Sequence, residues 1–295
     1  MVPYSKFGEL ISARTFQRTR ILPPRYVRRL FGAAFAEMHR HGETIRDALD
    51  IGCGTGRMLS GLAASQPNMN IVGIDISETM LAAAADLDLP SHCRLRVGDC
   101  RRKDTIASDC ADMIILHWVL NTTEGWDDIL ARAIEGLRGG GSILWFDERS
   151  NLYDAIDGRL DSGPFGRWPP LALKFWNTWY DGLGEYRIAG RLQNRIGLSM
   201  NDVKAECLLT ANEFNVTRLK KATEHWVATV SLRWLFHNVL EKKAFSNLWL
   251  IPDRQYERAL NAVRNFFMIT EGATDTWIDL SFSSTPVIAH QGNSR

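Results

Sequence analysis

The chain has 295 residues, 45% of them hydrophobic, and 35 Lys and Arg against 34 Asp and Glu, for a formal net charge of +1. That composition suits one large or two small globular domains, and the near-neutral charge gives no global attraction to nucleic acid or to an anionic membrane. No stretch approaches the ~18 uncharged apolar residues of a spanning helix, and the amino-terminal MVPYSKFGELISARTFQR lacks the apolar centre of a secretion signal.

Residues 1–45 read as a basic helical arm, broken at Pro23-Pro24 because proline cannot donate to a helix and restrains the residue before it. A strand follows at Ala48-Leu49-Asp50-Ile51. Residues 57–64 carry apolar side chains at helical spacing and stop before Pro67. "NIVGI", 70–74, is a second strand, and Ser77 is placed to cap the helix "ETMLAAAADL". Residues 93–97 form a third strand and "ADMIILHWV", 111–119, a fourth. "TEGWDDILARAIEGLRGGG" is a helix ended by glycine, and "SILWFDE" is a fifth strand. Beyond 149 the chain becomes rich in glycine, proline and aromatics, as an insertion would be. A helix capped by Ser199 is expected over 199–214, a strand over 215–230, helical stretches near 230–242 and 253–268, and a last strand over 276–290.

Strands alternating with helices imply right-handed crossovers and a parallel sheet covered on both faces. Ligands of such sheets bind beyond the carboxyl ends of the strands, where the chain order reverses. "ALDIGCGTGRML" puts Gly52, Gly54 and Gly56 at that end of the first strand. Three glycines in five residues need a close neighbour or a special backbone. The dinucleotide fingerprint G-x-G-x-x-G is not met, because Arg57 stands at its third glycine. Five cysteines, at 53, 93, 100, 110 and 207, form no CxxC pair and no metal-like spacing with histidine. The odd count argues against a disulfide framework, so no metal and a reducing, cytoplasmic setting are expected.

"LDIGCGTG", "VGIDIS", "RVGD", "ADMIILHWVL" and "LRGGGSILWFDE", in this order and spacing, resemble the class I S-adenosylmethionine-dependent methyltransferases. The resemblance is specific over residues 44–148 and weaker over 199–226 and 276–290. It implies an α/β, Rossmann-like, seven-stranded, mostly parallel sheet with an antiparallel last strand, carrying helical, aromatic-rich cap insertions. The implied organisation is a helical lid at 1–45, a cofactor core at 46–148, a substrate cap at 149–200 and the rest of the core at 201–295, with a helical insertion near 227–275. The implied cofactor is S-adenosylmethionine, leaving as S-adenosylhomocysteine.

The resemblance also distributes roles. Gly52, Gly54 and Gly56 would lie against the amino-acid part of the cofactor, with Asp50 beneath them facing its ammonium. Asp75, followed by Ile76, would accept from the ribose hydroxyls, against the alternative of a solvated turn residue. Asp99 would face the adenine amino group and Cys100 flank it, against a turn pair and a buried thiol. His117, at the tip of the fourth strand, is a general base or a positioning group; His225 is a weaker second candidate. Trp118, Trp168, Trp176, Trp179 and Tyr180 are candidates for an aromatic substrate wall, although Phe175 and Trp179 at i and i+4 also suit a helix core. An arginine of the arm could hold a substrate carboxylate or phosphate, or solvate its helix.

The strand tip Leu116–Asn121 lacks the Asn/Asp-Pro-Pro-aromatic tetrad of exocyclic-nitrogen enzymes and the cysteine of pyrimidine C5 enzymes. It also lacks the acid of magnesium-dependent catechol-type enzymes. The expected function is methyl transfer to oxygen, nitrogen or carbon of a small aromatic or hydrophobic metabolite, as in specialised metabolism. A non-catalytic or regulatory protein of the same fold, and an RNA or protein methyltransferase, are the alternatives. The expected partner is a small molecule, not nucleic acid or membrane, with homo-oligomerisation left open.

Overall fold

The computed structural model describes residues 13–123, 125–160, 168–184, 198–245, 248 and 251–291. By compactness the chain divides into two units. One is built from Pro3–Asp147, Leu198–Glu224 and Ser284–Arg295, the other chiefly from Glu148–Gly197 and His225–Ser283.

The first unit is the α/β sheet. It runs α1 (Ala13–Thr19), α2 (Pro24–Arg40), β1 (Asp47–Ile51), α3 (Arg57–Ser65), β2 (Asn70–Asp75), α4 (Glu78–Ala85), β3 (Cys93–Val97) and β4 (Ala111–Ile115). The helical turn α5 (Val119–Thr122), α6 (Trp126–Gly136) and β5 (Leu137–Ser150) follow, and then α9 (Leu198–Ala211) and β6 (Phe214–Arg218). The strand order is β3-β2-β1-β4-β5-β8-β6, where β8 is Trp277–Gln291. β1 pairs in parallel with β2 and β4, and the order reverses between β1 and β4. β6 pairs antiparallel with β8 through Phe214–Gln291 to Arg218–Val287. Among the described residues the sheet has eight strands, one more than the resemblance implies, because β7 (Glu224–Ser231), which from His225 on belongs to the second unit, pairs with β8 off the main path.

Period-two alternation sorts the strand side chains. Leu49, Ile51, Ile114 and Ile143 join Ile129, Leu130, Ala133 and Leu209 of α6 and α9 in one apolar core. Arg138 ties the amino-terminal ends of β1, β4 and β5 together: its Nη1 lies 2.7 Å from Asp47 and 2.8 Å from Asp112. Ser77 caps α4, its hydroxyl accepting from Met80 N at 3.3 Å. Among the described residues no helix is long and apolar enough to cross a membrane.

Several local expectations give way to packing. β4 ends at Ile115 rather than 119, because Trp118 takes a left-handed backbone with φ 64° and Val119 opens a helical turn. α6 ends at Gly136, and Gly139–Gly141 lie within β5, which opens at Leu137, instead of stopping a helix. A Cβ at Gly141 would stand 2.7 Å from the Asp112 carbonyl, so β4 and β5 approach too closely there for a side chain. α9 starts at Leu198, which puts Ser199 inside the helix. The strand expected over 215–230 is two strands, β6 and β7, separated by a 3-10 turn at Lys220–Ala222.

The second unit is mostly helical, and it also takes in β7 from His225 on and β8 as far as Ser283. It holds α7 (Asn151–Ile156), α8 (Pro170–Leu183), α10 (Leu232–Leu235) running into a π turn (Phe236–Leu240), and α11 (Asp253–Ile269). α8 packs on α11 so closely that a Cβ on Gly182 would stand 2.5 Å from the Ala259 Cα. The Tyr256 hydroxyl donates to the Leu240 carbonyl and that of Tyr180 to Ala155.

Two glycines of the first unit make opposed predictions. A Cβ on Gly61 of α3 would stand 2.2 Å from Val27 Cγ1 of α2, whereas one on Gly32 of α2 meets nothing within 4 Å. Gly61→Ala should therefore destabilise the protein by about 1–3 kcal/mol through overpacking. Gly32→Ala should stabilise it by up to about 1 kcal/mol through helix propensity. Urea unfolding of the two variants beside the wild type checks both signs.

Candidate cofactor and acceptor pocket

Asp50 is the fourth residue of β1, in register with Gly73 of β2 and Ile115 of β4. Its carboxyl is 2% exposed, and Oδ2 has no hydrogen-bond partner among the described residues. Burial favours the neutral acid, and Asp75 nearby adds repulsion against which Arg57 only partly acts; the pKa is pushed up to about 8. After Ile51 the chain turns sharply: Gly52 N and Cys53 N donate to the Ile74 carbonyl at 2.8 and 3.1 Å, and Gly56 N to Cys53 O at 3.0 Å.

The three glycines of this turn answer to different neighbours. All three have positive φ, 69°, 56° and 75°. A Cβ on Gly52 would stand 2.9 Å from Val119 Cγ2, and one on Gly56 3.0 Å from Ala84 Cβ. At Gly54 the nearest atoms are Phe16 Cε1 at 3.9 Å and Gly52 O at 4.0 Å. Protein packing accounts for Gly52 and Gly56; the space beside Gly54 is open.

Asp75, the last residue of β2, stands beneath that open loop. Its Oδ2 accepts from Gly54 N at 2.8 Å and its Oδ1 from Ser77 N at 2.9 Å. Burial raises its pKa, and backbone bonds from Ser77, Gly54 and Ile76 oppose the rise. Of its roughly four lone-pair sites at least one stays open to an outside donor.

The turn, Asp50, Asp75, Ile76 and His117 line one pocket of about 760 Å³, counted to its open mouth. Trp118 and Val119 line it from the β4 tip, Met58 and Met80 from α3 and α4, and Phe16 and Arg20 from the arm. Of the arm's other aromatics, Tyr4 and Phe7 lie outside the described residues, and Tyr26 is not on the pocket wall.

His117 is 7% exposed, and its Nε2 lies 2.9 Å from Arg57 Nη2. A guanidinium only donates, so Nε2 must accept and the ring proton belongs on Nδ1. Protonating both nitrogens would set two donors against each other, which disfavours His117 Nε2 as a base while Arg57 is in place. Trp118, beside it, holds a left-handed backbone that an aromatic residue adopts uncommonly. Its indole lies edge-on to His117 at 6.3 Å, with the Arg20 guanidinium 5.6 Å from its centroid.

The remaining candidates lie elsewhere. Arg101 grips Asp99 through Nε and Nη2 at 2.8 and 2.6 Å, which lowers its pKa and occupies its oxygens. Cys100 is fully buried in the apolar core. Neither is on the pocket wall. His225 is exposed on β7 and belongs to the helical unit.

The proposed aromatic wall is that unit's own core. Trp176 and Trp179 are 0% exposed, and Trp168 and Tyr180 are also buried. Trp176 stacks on Tyr180 at 6.2 Å and meets Trp168 edge-on at 6.1 Å, and Trp179 meets Tyr256 of α11 at 5.2 Å. Only Trp118 of the five aromatic candidates reaches the pocket. Conversely, Arg20, Arg57, Met58, Met80, Val119 and Thr123 line it without having been singled out as site residues. For Arg57 a signal existed: it directly follows the last glycine, where it opens α3.

Residues 48–141 match the family described as methyltransferase domain. A trans-aconitate 2-methyltransferase of Deinococcus radiodurans is 34% identical over 95 residues, 32% of this chain; the chain spans 35% of the length of that relative. Among solved structures, the YcgJ protein of Bacillus subtilis is similar at 12% identity, covering 88% of this chain and 98% of that one, with a TM-score of 0.47. The plantazolicin methyltransferase BpumL, in complex with S-adenosylhomocysteine, is similar at 16% identity, covering 94% of this chain and 85% of that one, with a TM-score of 0.43. Over residues 48–141 the chain is thus similar to a methyltransferase domain, and S-adenosylmethionine is the cofactor that the sequence resemblance implies. The residues present fit that cofactor: an orphaned buried carboxyl oxygen for its ammonium, open space at Gly54, and a carboxylate with spare lone pairs beneath.

A pH test follows from Asp50. In the cofactor-free protein its carboxyl stays protonated up to about pH 8, whereas the unfolded chain loses that proton near 3.8. Its contribution to stability therefore falls as pH rises between these values. An ammonium placed beside it favours the anion, so binding S-adenosylhomocysteine near pH 7 should release close to one proton. Calorimetry in buffers of different ionisation enthalpy measures that number, and Asp50→Asn should bring it to zero. A zero count in the wild type would place the ammonium elsewhere.

Proposed function

We propose that the protein moves the methyl group of S-adenosylmethionine to an oxygen, nitrogen or carbon atom of a small organic molecule. The observation that carries this reading is the single pocket in which the orphaned oxygen of Asp50, the open backbone at Gly54 and the carboxylate of Asp75 converge. Asp50 holds the ammonium and Asp75 the ribose hydroxyls, each through charge-assisted hydrogen bonds. The bound cofactor supplies an electrophilic methyl group on a sulfonium, already activated for in-line displacement. The chain's part is therefore alignment and exclusion of water. The β4 tip and the arm do this: Phe16, Trp118 and Val119 form an apolar wall around the pocket. His117 acts through Arg57, fixing its guanidinium at the acceptor side as a positioning residue.

The walled pocket and the near-neutral charge support a small molecule over RNA or a protein surface. The relative's name gives trans-aconitate as its acceptor, but the similarity covers 32% of this chain and does not carry that acceptor over. Five free cysteines support a reducing, cytoplasmic setting.

The test is a cell extract separated by size and incubated with the protein and S-adenosylmethionine labelled in its methyl group. Label should enter the small-molecule fraction. Label in RNA or protein would overturn the acceptor class, and label in neither would favour a non-catalytic protein.

With the acceptor identified, His117→Ala should raise KM roughly tenfold, change kcat little, and leave the acid limb of the pH–rate profile in place. A loss of kcat of about 10²-fold or more together with that limb would instead make His117 a general base.

A further inference from the structure

Arg20 is 4% exposed, an unusual burial for an arginine. Its Nη1 donates to Thr19 Oγ1 at 3.2 Å, and its guanidinium lies 4.9 Å from the Phe16 ring centroid and 5.6 Å from that of Trp118. Arg57 approaches from α3: its Nη1 donates to the Arg20 carbonyl at 3.2 Å and its Nη2 to His117. These bonds fix two forked cations on one wall. The wall separates the cofactor pocket from a second cavity, lined by both arginines, Phe16, Pro23, Pro24 and Ser60. No carboxylate lines this second cavity among the described residues. The acids of the cofactor pocket, Asp50 and Asp75, stand instead at the glycine turn and the end of β2. Charge is thus sorted across the site, carboxyls toward the glycine loop and guanidiniums toward the arm.

Forked guanidiniums match the geometry of carboxylate and phosphate oxygens. Resting on the methyltransferase reading above, we infer that the acceptor is an organic anion, a molecule bearing a carboxylate or phosphate that Arg20 and Arg57 hold beside the methyl group. The arm then selects the substrate as well as covering it. The carboxylate of the cofactor's own amino-acid part has the same chemistry and is the competing occupant of these arginines, so the test must separate the two.

Succinate and inorganic phosphate serve as probes, titrated at low ionic strength into protein saturated with S-adenosylhomocysteine. The wild type should bind at least one of them. Arg20→Gln should weaken that binding roughly tenfold or more, while the affinity for S-adenosylhomocysteine stays within about threefold; Arg57→Gln, which also takes a compensating charge from Asp50, should weaken anion binding by a larger factor than S-adenosylhomocysteine binding. Arg14→Gln, which removes the same charge from an exposed position of the arm, should change neither affinity. Circular dichroism confirms that each variant is folded, and if one is not, the other carries the test. Variants that lose S-adenosylhomocysteine affinity by the same factor as anion affinity would assign the arginines to the cofactor carboxylate and overturn the inference. So would a wild type that binds S-adenosylhomocysteine but neither anion. A wild type that fails to bind S-adenosylhomocysteine at all would remove the underlying reading.

Discussion

A carboxyl group buried at the end of a parallel strand is the constraint around which the rest of the site is arranged. Asp50 is surrounded by sheet backbone and apolar side chains, where an isolated anion is costly. Three things moderate that cost. Its pKa of about 8 allows the neutral acid, Arg57 contributes a compensating charge, and a cationic ligand completes the set. The turn above it has no side chain at Gly54, and Asp75 braces the turn by accepting from Gly54 N. Arg57 in turn orients His117 and the carbonyl of Arg20. Removing the acid would leave the turn intact but take away the reason for cations on both sides of it.

Much of the fold was legible because it is local. The β1, β2 and β3 strands and the capped helices between them follow from short apolar runs, Ser77 and the prolines, all of which act within a few residues. The places where the reading failed are those where a distant contact decides. "LHWV" has strand propensity throughout, yet Trp118 turns the chain because Arg20 and His117 receive its indole. "LKKA" between two β-rich runs, 219–222, divides one expected strand into β6 and β7, which belong to different units. Gly139–Gly141 resemble a helix stop, but the close approach of β4 and β5 requires glycine at 141.

The glycine turn with Asp50 and Asp75 was legible as one cluster, whereas Asp99 and Cys100, read in the same way, lie off the pocket wall, and the side of the pocket that faces the arm was hidden. Asp50, the three glycines and Asp75 lie within 26 consecutive residues, at strand ends that the topology itself marks as a ligand site. That hidden side is assembled from the arm, the β4 tip and α3, and no spacing in one sequence declares that assembly. The tryptophans illustrate the difficulty. An aromatic stripe at helical spacing looks the same whether it faces a ligand or another helix, and in α8 it faces α11. Arg57 illustrates the reverse. As the residue that breaks a dinucleotide fingerprint it was informative by exclusion, whereas its structural role is to join the glycine turn, His117 and the arm.

The central claim is that this turn is built for a sulfonium cofactor and not for a dinucleotide. Isothermal titration of S-adenosylhomocysteine and of NAD into the same preparation tests it most directly. Micromolar or tighter binding of S-adenosylhomocysteine is expected, with NAD weaker by roughly a hundredfold or more. Equal or preferred binding of NAD would contradict the claim.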